Sequence, residues 1–162
     1  MALNAYLTMK GETQGDIKGS VTQRGREDSI MVIGFSHEIL SPRDAASGLP
    51  TGKRQHKPII ITKEIDKATP LLYNLLVNNE NITEWKLQFW QPSKSGAEVP
   101  FYNIQLVNAS IAEIRSEMLN NKYPENMQHK EREHISFCYQ KIIWTFEDGG
   151  IMAEDDWEAP VV

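Results

Sequence analysis

Only one stretch of this 162-residue chain carries apolar residues at helical spacing; the others are spaced for strands. Leu71, Leu72, Leu75 and Leu76 fall on one stripe, while Tyr73 and Asn74 lie off it. Thr69 is a favourable N-cap and Pro70 stands at the first helical position, where a missing N–H does no harm. The pattern predicts a helix over about residues 70–78, stopping near Asn78 and Asn79. A helix that short has little stability of its own. Its leucines must pack onto a sheet.

Strand signals supply that sheet. Ile59, Ile60 and Ile61 form a β-branched run behind Pro58. Trp85, Leu87 and Phe89 alternate with Lys86 and Gln88, although Trp90 breaks the polar face. A turn-rich segment from Pro92 to Gly96 leads to Tyr102, Ile104 and Leu106, which predicts a β-hairpin with a loop longer than two residues. Apolar parity then switches to Val107, Ala109 and Ile111, as one inserted residue in a bulge near Asn108 would produce. A further strand is read from about Ile135 to Phe146, with one parity in its first half, the other in its second, and both faces partly covered. Ala5, Leu7 and Met9 alternate near the start, and Ile30 to Ile39 is mostly apolar, interrupted by Gly34 and Ser36.

The expected architecture is mainly β: an antiparallel barrel or sandwich of two sheets with one short flanking helix. It carries a long extended loop over about residues 41–57, too long for a mere connector. Leu119 to Glu133 is polar and separates two strands, and Met152 to Val162 reads equally as a terminal strand or a tail. Length and a 40% hydrophobic content suit one domain across residues 1–162.

Composition narrows the function. Seventeen basic against 22 acidic residues give a net charge of -5, which argues against a general nucleic-acid surface. One cysteine, Cys138, forms no internal disulfide and, inside an apolar strand, reads as a buried inert thiol. The N-terminus MALNAYLTMKGE lacks a basic region followed by a long apolar stretch, so neither a cleaved secretory signal nor membrane insertion is expected. A cytoplasmic site of synthesis follows.

Catalytic and ligand motifs fail on inspection. In SGLPTGKR, three residues separate Gly48 from Gly52 where a phosphate loop needs four, and Arg54 stands where Ser or Thr would bind magnesium. His37, His56, His129 and His134 have no metal-ligand spacing; His129 and His134 with Glu131 and Glu133 read as a solvated turn. No nucleophile elbow is present. The expectation is a non-enzyme without cofactor or metal. The acidic group Glu154, Asp155, Asp156 and Glu158 reads as solvated rather than cation-binding.

Several segments taken together resemble one family. They are AYLTMKGETQGDIKGSV, GFSHEI, the polar loop up to Lys57, YQKIIWTFEDGGI, and above all Thr62, Lys63, Glu64, Ile65 and Asp66 leading to Thr69 and Pro70. This ordered set is similar to the Hcp (haemolysin-coregulated protein) family, the tube subunits of bacterial type VI secretion systems. The resemblance implies a homohexameric ring, rings stacked into a tube inside a contractile sheath on a baseplate, and a spike protein, VgrG, at the tip. It also implies secretion into the extracellular space or a target cell, with small effectors carried and protected in the lumen. Ser36 matches a position that faces the lumen in that family.

For stacking, opposite charge blocks suggest that Lys53, Arg54 and Lys57 of one ring meet Glu154, Asp155, Asp156 and Glu158 of the next. The competing reading is a small-ligand-binding β-barrel acting as a monomer or dimer.

Overall fold

The computed structural model describes residues 1–157. Its strands are β1 (Ala5–Gly11), β2 (Gly15–Asp16), β3 (Ile30–Val32), β4 (Gly34–Ser36), β5 (Ile39–Leu40), β6 (Gln55–His56) and β7 (Ile59–Glu64). After helix α1 (Thr69–Val77) come β8 (Ile82–Pro92), β9 (Glu98–Val107), β10 (Ser110–Glu117), β11 (Arg132–Cys138), β12 (Lys141–Phe146) and β13 (Ile151–Asp156). A seven-stranded antiparallel sheet runs β13-β12-β9-β8-β1, with β2 and β3 both on the far edge of β1. A four-stranded sheet, β10-β11-β7-β4, packs across it, and β5 pairs with β6 in a separate two-stranded arm.

The two sheets share one core. Leu7, Leu87, Ile104 and Ile142 enter from the large sheet, and Ile59, Ile61, Ile135 and Phe137 from the small one. The Trp85 ring meets Phe137 edge-on at 5.4 Å, so the longest strand of one sheet touches a central strand of the other. Helix α1 closes an open end of the sandwich with Leu72 and Leu75, each buried leucine contributing about 1.5–3 kcal/mol. Leu71 and Leu76 pack against the same core, while Tyr73 is exposed and bonds Ser116 on β10 at 2.5 Å.

Both parity switches mark sheet changes. β9 lies in the large sheet and β10 in the small one, and Asn108 between them has φ +52°. No bulge is needed there. Crossing a sandwich reverses the direction of the core, so the inward residues must change parity. The left-handed turn, which asparagine tolerates better than most residues, makes the corner, and the Asn108 side-chain amide donates to Gln140 Oε1 at 2.8 Å. The register irregularity nearby lies instead between Ile111 and Glu113.

The segment Ile135 to Phe146 is likewise two strands, β11 and β12, split at Tyr139 and Gln140 and assigned to opposite sheets. Ile33 makes a third such corner between β3 and β4.

The helix start also differs from the sequence reading. Ala68 is the N-cap and makes no side-chain capping bond; Thr69 already lies in the first turn. Its hydroxyl is used elsewhere, accepting from the Asp66 N–H and from Lys63 Nζ, both at 3.1 Å, and donating to Glu133 Oε1 at 2.7 Å. Lys63 and Glu133 are fully buried and paired at 2.5 Å, and Asp66 also faces Lys63 at 3.0 Å.

Trp90 on the outer face has a partner that alternation could not reveal. Arg26 lies 4.2 Å from its ring centroid and 4.6 Å from that of Tyr6, and pairs with Glu98 at 2.6 Å. The loop before β3 is thereby held on the large sheet. Gly19 in that loop runs so close to Ser29 that a Cβ would lie 2.3 Å from its carbonyl oxygen.

Candidate assembly surfaces

The loop over residues 41–57 is a folded-back arm. β5 and β6 pair at its base through Ile39–His56 and Leu40–Gln55, and Arg43 and Pro50 form a bridge farther out. Asp44 stabilises the tip, accepting from the Ser47 N–H at 2.9 Å and the Ser47 hydroxyl at 2.7 Å. Those two bonds, hydroxyl first, hold its carboxyl below the usual carboxylate range.

The basic and acidic blocks meet within one chain. Arg54 grips Asp155 with two nitrogens, Nε to Oδ2 at 2.5 Å and Nη2 to Oδ1 at 2.7 Å, and also donates to the Asp156 carbonyl at 3.1 Å. Lys57 pairs with Glu38 at 3.2 Å across the arm base, and Glu154 pairs with Lys141 at 3.2 Å across the β12–β13 hairpin. The side-chain amide of Gln140 donates to Asp156 Oδ2 at 3.2 Å. Of the residues assigned to stacking, Lys53 is exposed, and Glu158 lies outside the described residues. Sequence charge blocks could not distinguish contacts between chains from this closure within one chain. Strand β13 resolves the terminal strand reading for residues 151–156.

A histidine–tyrosine cluster at the same place was not anticipated. The Tyr139 hydroxyl lies 2.8 Å from His37 Nε2 and 2.7 Å from His56 Nδ1, and His56 Nε2 lies 2.6 Å from Asp155 Oδ2. Trp157 stacks on His56 with ring centroids 6.2 Å apart, and its indole N–H donates to the Tyr139 carbonyl. The one sequence trace of this cluster is that His37 and His56 flank the arm symmetrically.

Ser36 lies on the outward face of the four-stranded sheet, in register with Ile60. That face is polar across three strands. Thr62 Oγ1 lies 2.9 Å from His134 Nδ1; Glu117 meets His134 Nε2 at 3.1 Å, Arg132 at 3.1 Å and Arg115 at 2.9 Å. The bond from His134, with those from the two arginines, lowers the Glu117 carboxyl to about 2. Cys138 ends β11 and is exposed, contrary to the buried thiol expected from its apolar neighbours. Its strand stops there, and it lies opposite the inward parity of Ile135 and Phe137.

Among the described residues no group of three or more His, Cys, Asp or Glu side chains is arranged to hold a metal, and no helix is long and apolar enough to cross a membrane.

Known proteins share this fold. The family model described as "Type VI secretion system effector, Hcp" matches residues 6–146. The "Major exported protein" of Pseudomonas aeruginosa is 41% identical over 170 aligned positions, covering 99% of each chain. A crystal structure titled "Crystal structure of Hcp protein" superposes with a TM-score of 0.90 at 31% identity, covering 97% of this chain and 99% of that one. The Hcp1 protein of Escherichia coli EAEC 042 superposes with a TM-score of 0.86 at 33% identity, covering 96% and 99%. The chain therefore belongs to the Hcp family of type VI secretion, whose members are exported structural proteins rather than enzymes.

Proposed function

We propose that six copies of this chain, each acting as one domain, close into a ring, and that rings stack into the inner tube of a type VI secretion system. Sheath contraction on the baseplate then drives the tube, tipped by the spike protein VgrG, out of the cell with small effectors in its lumen. Family membership over nearly the whole chain carries this reading. Surface area supports it. A compact monomer of this mass exposes roughly 8,200 Å², whereas this chain exposes 10087 Å². The excess, on the order of 1,900 Å², is comparable to what two ordinary interfaces of about 800 Å² per partner would cover on one subunit.

A closed ring needs two different, complementary patches per subunit. The four-stranded sheet offers opposite edges, β10 on one side and β4 on the other, as such a pair. Its outward polar face, carrying Ser36, suits a water-filled bore. The space between the sheets is filled by Leu7, Trp85, Leu87 and Phe137, which favours a packed subunit over a ligand-binding barrel. With Arg54 and Asp155 engaged inside the chain, they set the arm, and exposed Lys53 is available to meet the next ring. Lys57 and Glu38 are half exposed, a pair worth at most about 1 kcal/mol.

Light scattering coupled to size exclusion, followed by particle imaging, should give a hexamer with an open centre. A monomer at every concentration would overturn the proposal. In the same preparation, Lys53→Glu should shorten tubes without changing ring mass, and Ser36→Glu should reduce bound effector while sparing the ring. Unaltered tubes or unaltered effector would each remove the corresponding assignment.

A further inference from the structure

We propose that the base of the arm is a proton-operated latch: it stays shut while at most one of His37 and His56 carries a second proton, and opens when both do. The latch requires only one chain and stands whether or not rings form.

The argument starts from one hydrogen atom. Tyr139 places its single hydroxyl between two imidazole nitrogens, 2.8 Å from His37 and 2.7 Å from His56. It can donate to only one of them, so the other must donate to it. With Asp155 Oδ2 taking the N–H of His56 Nε2, a neutral His56 accepts from Tyr139, and Tyr139 accepts from His37. Each of the three bonds then has one donor and one acceptor.

Adding one proton is tolerated. If it goes to His37, no bond changes; if it goes to His56, the hydroxyl turns round and donates to the other tautomer of His37. Adding the second leaves two N–H groups aimed at one oxygen, a hydroxyl hydrogen without an acceptor, and two cations facing each other. The shared hydroxyl is covered, with the His56 side chain 2% exposed and Tyr139 5% exposed, while His37 and Asp155 are only partly buried, so water cannot readily reach the orphaned hydroxyl hydrogen.

The surrounding groups set the direction of the pH dependence. From the arm, Arg54 reaches the cluster through Asp155, and the exposed Glu38–Lys57 pair follows His37 and His56 in sequence; from the corner, Cys138 adjoins Tyr139; from the last strand come Asp155 and Asp156, with the Lys141–Glu154 pair beside them. Burial, then the Tyr139 neighbour His56, keeps His37 below the ordinary histidine range. The stability it contributes is therefore complete above that range and is lost as pH falls through the lowered value. Arg54 foremost, then His56, keeps Asp155 below the carboxylate range, and burial keeps Tyr139 above the phenol range. Between roughly pH 5 and pH 7 Asp155 stays ionised and Tyr139 stays a phenol.

What the latch joins is specific. It ties residues on both legs of the arm, His37 on the way out and His56 on the way back, to the β11–β12 corner and to β13. On the ring reading, opening it in an acidic compartment would loosen the stack where the arm bridges rings.

Hydrogen–deuterium exchange tests this on the full chain, with oligomer mass measured on the same sample. Peptides covering residues 38–58 and 150–157 should lose protection roughly tenfold between about pH 7 and about pH 5, after correction for the chemical exchange rate, while β8 peptides stay protected. His37→Gln keeps an N–H for the Tyr139 oxygen but cannot take a second proton, so it should remain protected at both values. Tyr139→Phe keeps the ring and deletes the shared hydroxyl, so its arm should be open already at about pH 7.

Equal protection of the parent at both values overturns the latch. So does acid opening in His37→Gln equal to the parent's, or a Tyr139→Phe arm as protected as the parent's at neutral pH. Rings that form normally alongside any of these outcomes leave the tube reading intact, and a monomer that opens as expected separates the two in the other direction.

Discussion

Lys63→Met is expected to destabilise the subunit by about 3–5 kcal/mol in urea titration, with the slope of the transition unchanged. Lys63 and Glu133 are both fully buried, and the ammonium is satisfied by Glu133, Asp66 and Thr69 together. Methionine fills much of the same volume, so packing loss is small. What remains is a carboxylate in an apolar setting with one hydroxyl on Oε1 and, among the described residues, no partner on Oε2. The cost is that of an uncompensated buried charge. Replacing both partners, Lys63→Met with Glu133→Leu, should recover most of it, because a well-packed apolar pair is often as stable as a buried ion pair. A single variant within about 1 kcal/mol of the parent, or a double variant no better than the single, would refute this account.

The same cluster shows how far the sequence could be read. Lys63, Asp66 and Thr69 belong to the segment that most resembles the Hcp family, and a fragment reading makes Thr69 a capping residue. Its real work, joining β7, β11 and the helix entry around one ammonium, depends on Glu133, which is distant in sequence and looks like part of a charged turn. Local rules place the helix within one residue at either end because proline, leucine spacing and the asparagine stop are local facts; Asn79 indeed adopts φ +48° after the Asn78 cap. They fail where the answer depends on which sheet a strand joins. Periodicity reports a change of parity at Asn108 and at Tyr139 without saying whether the chain bulges or crosses the sandwich.

Charge patterning fails for a related reason. The basic arm and acidic last strand are complementary in any arrangement, and only geometry places Arg54 against the Asp155 of its own chain. This changes the mechanical picture of the arm. A bidentate pair, a buried imidazole–phenol relay and a stacked indole fix its base within one chain. A pre-set arm loses less conformational entropy on docking than a free loop of the same length, so modest contacts at its tip can orient a neighbour.

Trp85→Ala should cost about 3–5 kcal/mol, and Trp85→Phe much less, in thermal or denaturant unfolding. Trp85 is 2% exposed on the central strand β8, and its ring meets Phe137 at 5.4 Å and 65° across the interface between the sheets. Alanine removes the whole indole from a seam lined by strands on both sides, which cannot close without moving two sheets. Phenylalanine keeps an aromatic contact and deletes an indole N–H that has no hydrogen-bond partner among the described residues, so part of its packing loss is offset. Phe137→Ala should resemble Trp85→Ala, and the double variant should fall short of additivity by about 0.5–1.5 kcal/mol, the coupling expected of an edge-on aromatic pair. Full additivity would mean that the rings fill space independently and that the sheets are held together elsewhere. Coupling would place the seam between a strand of the large sheet and the strand leading into the latch corner, linking sandwich stability to the arm through β11.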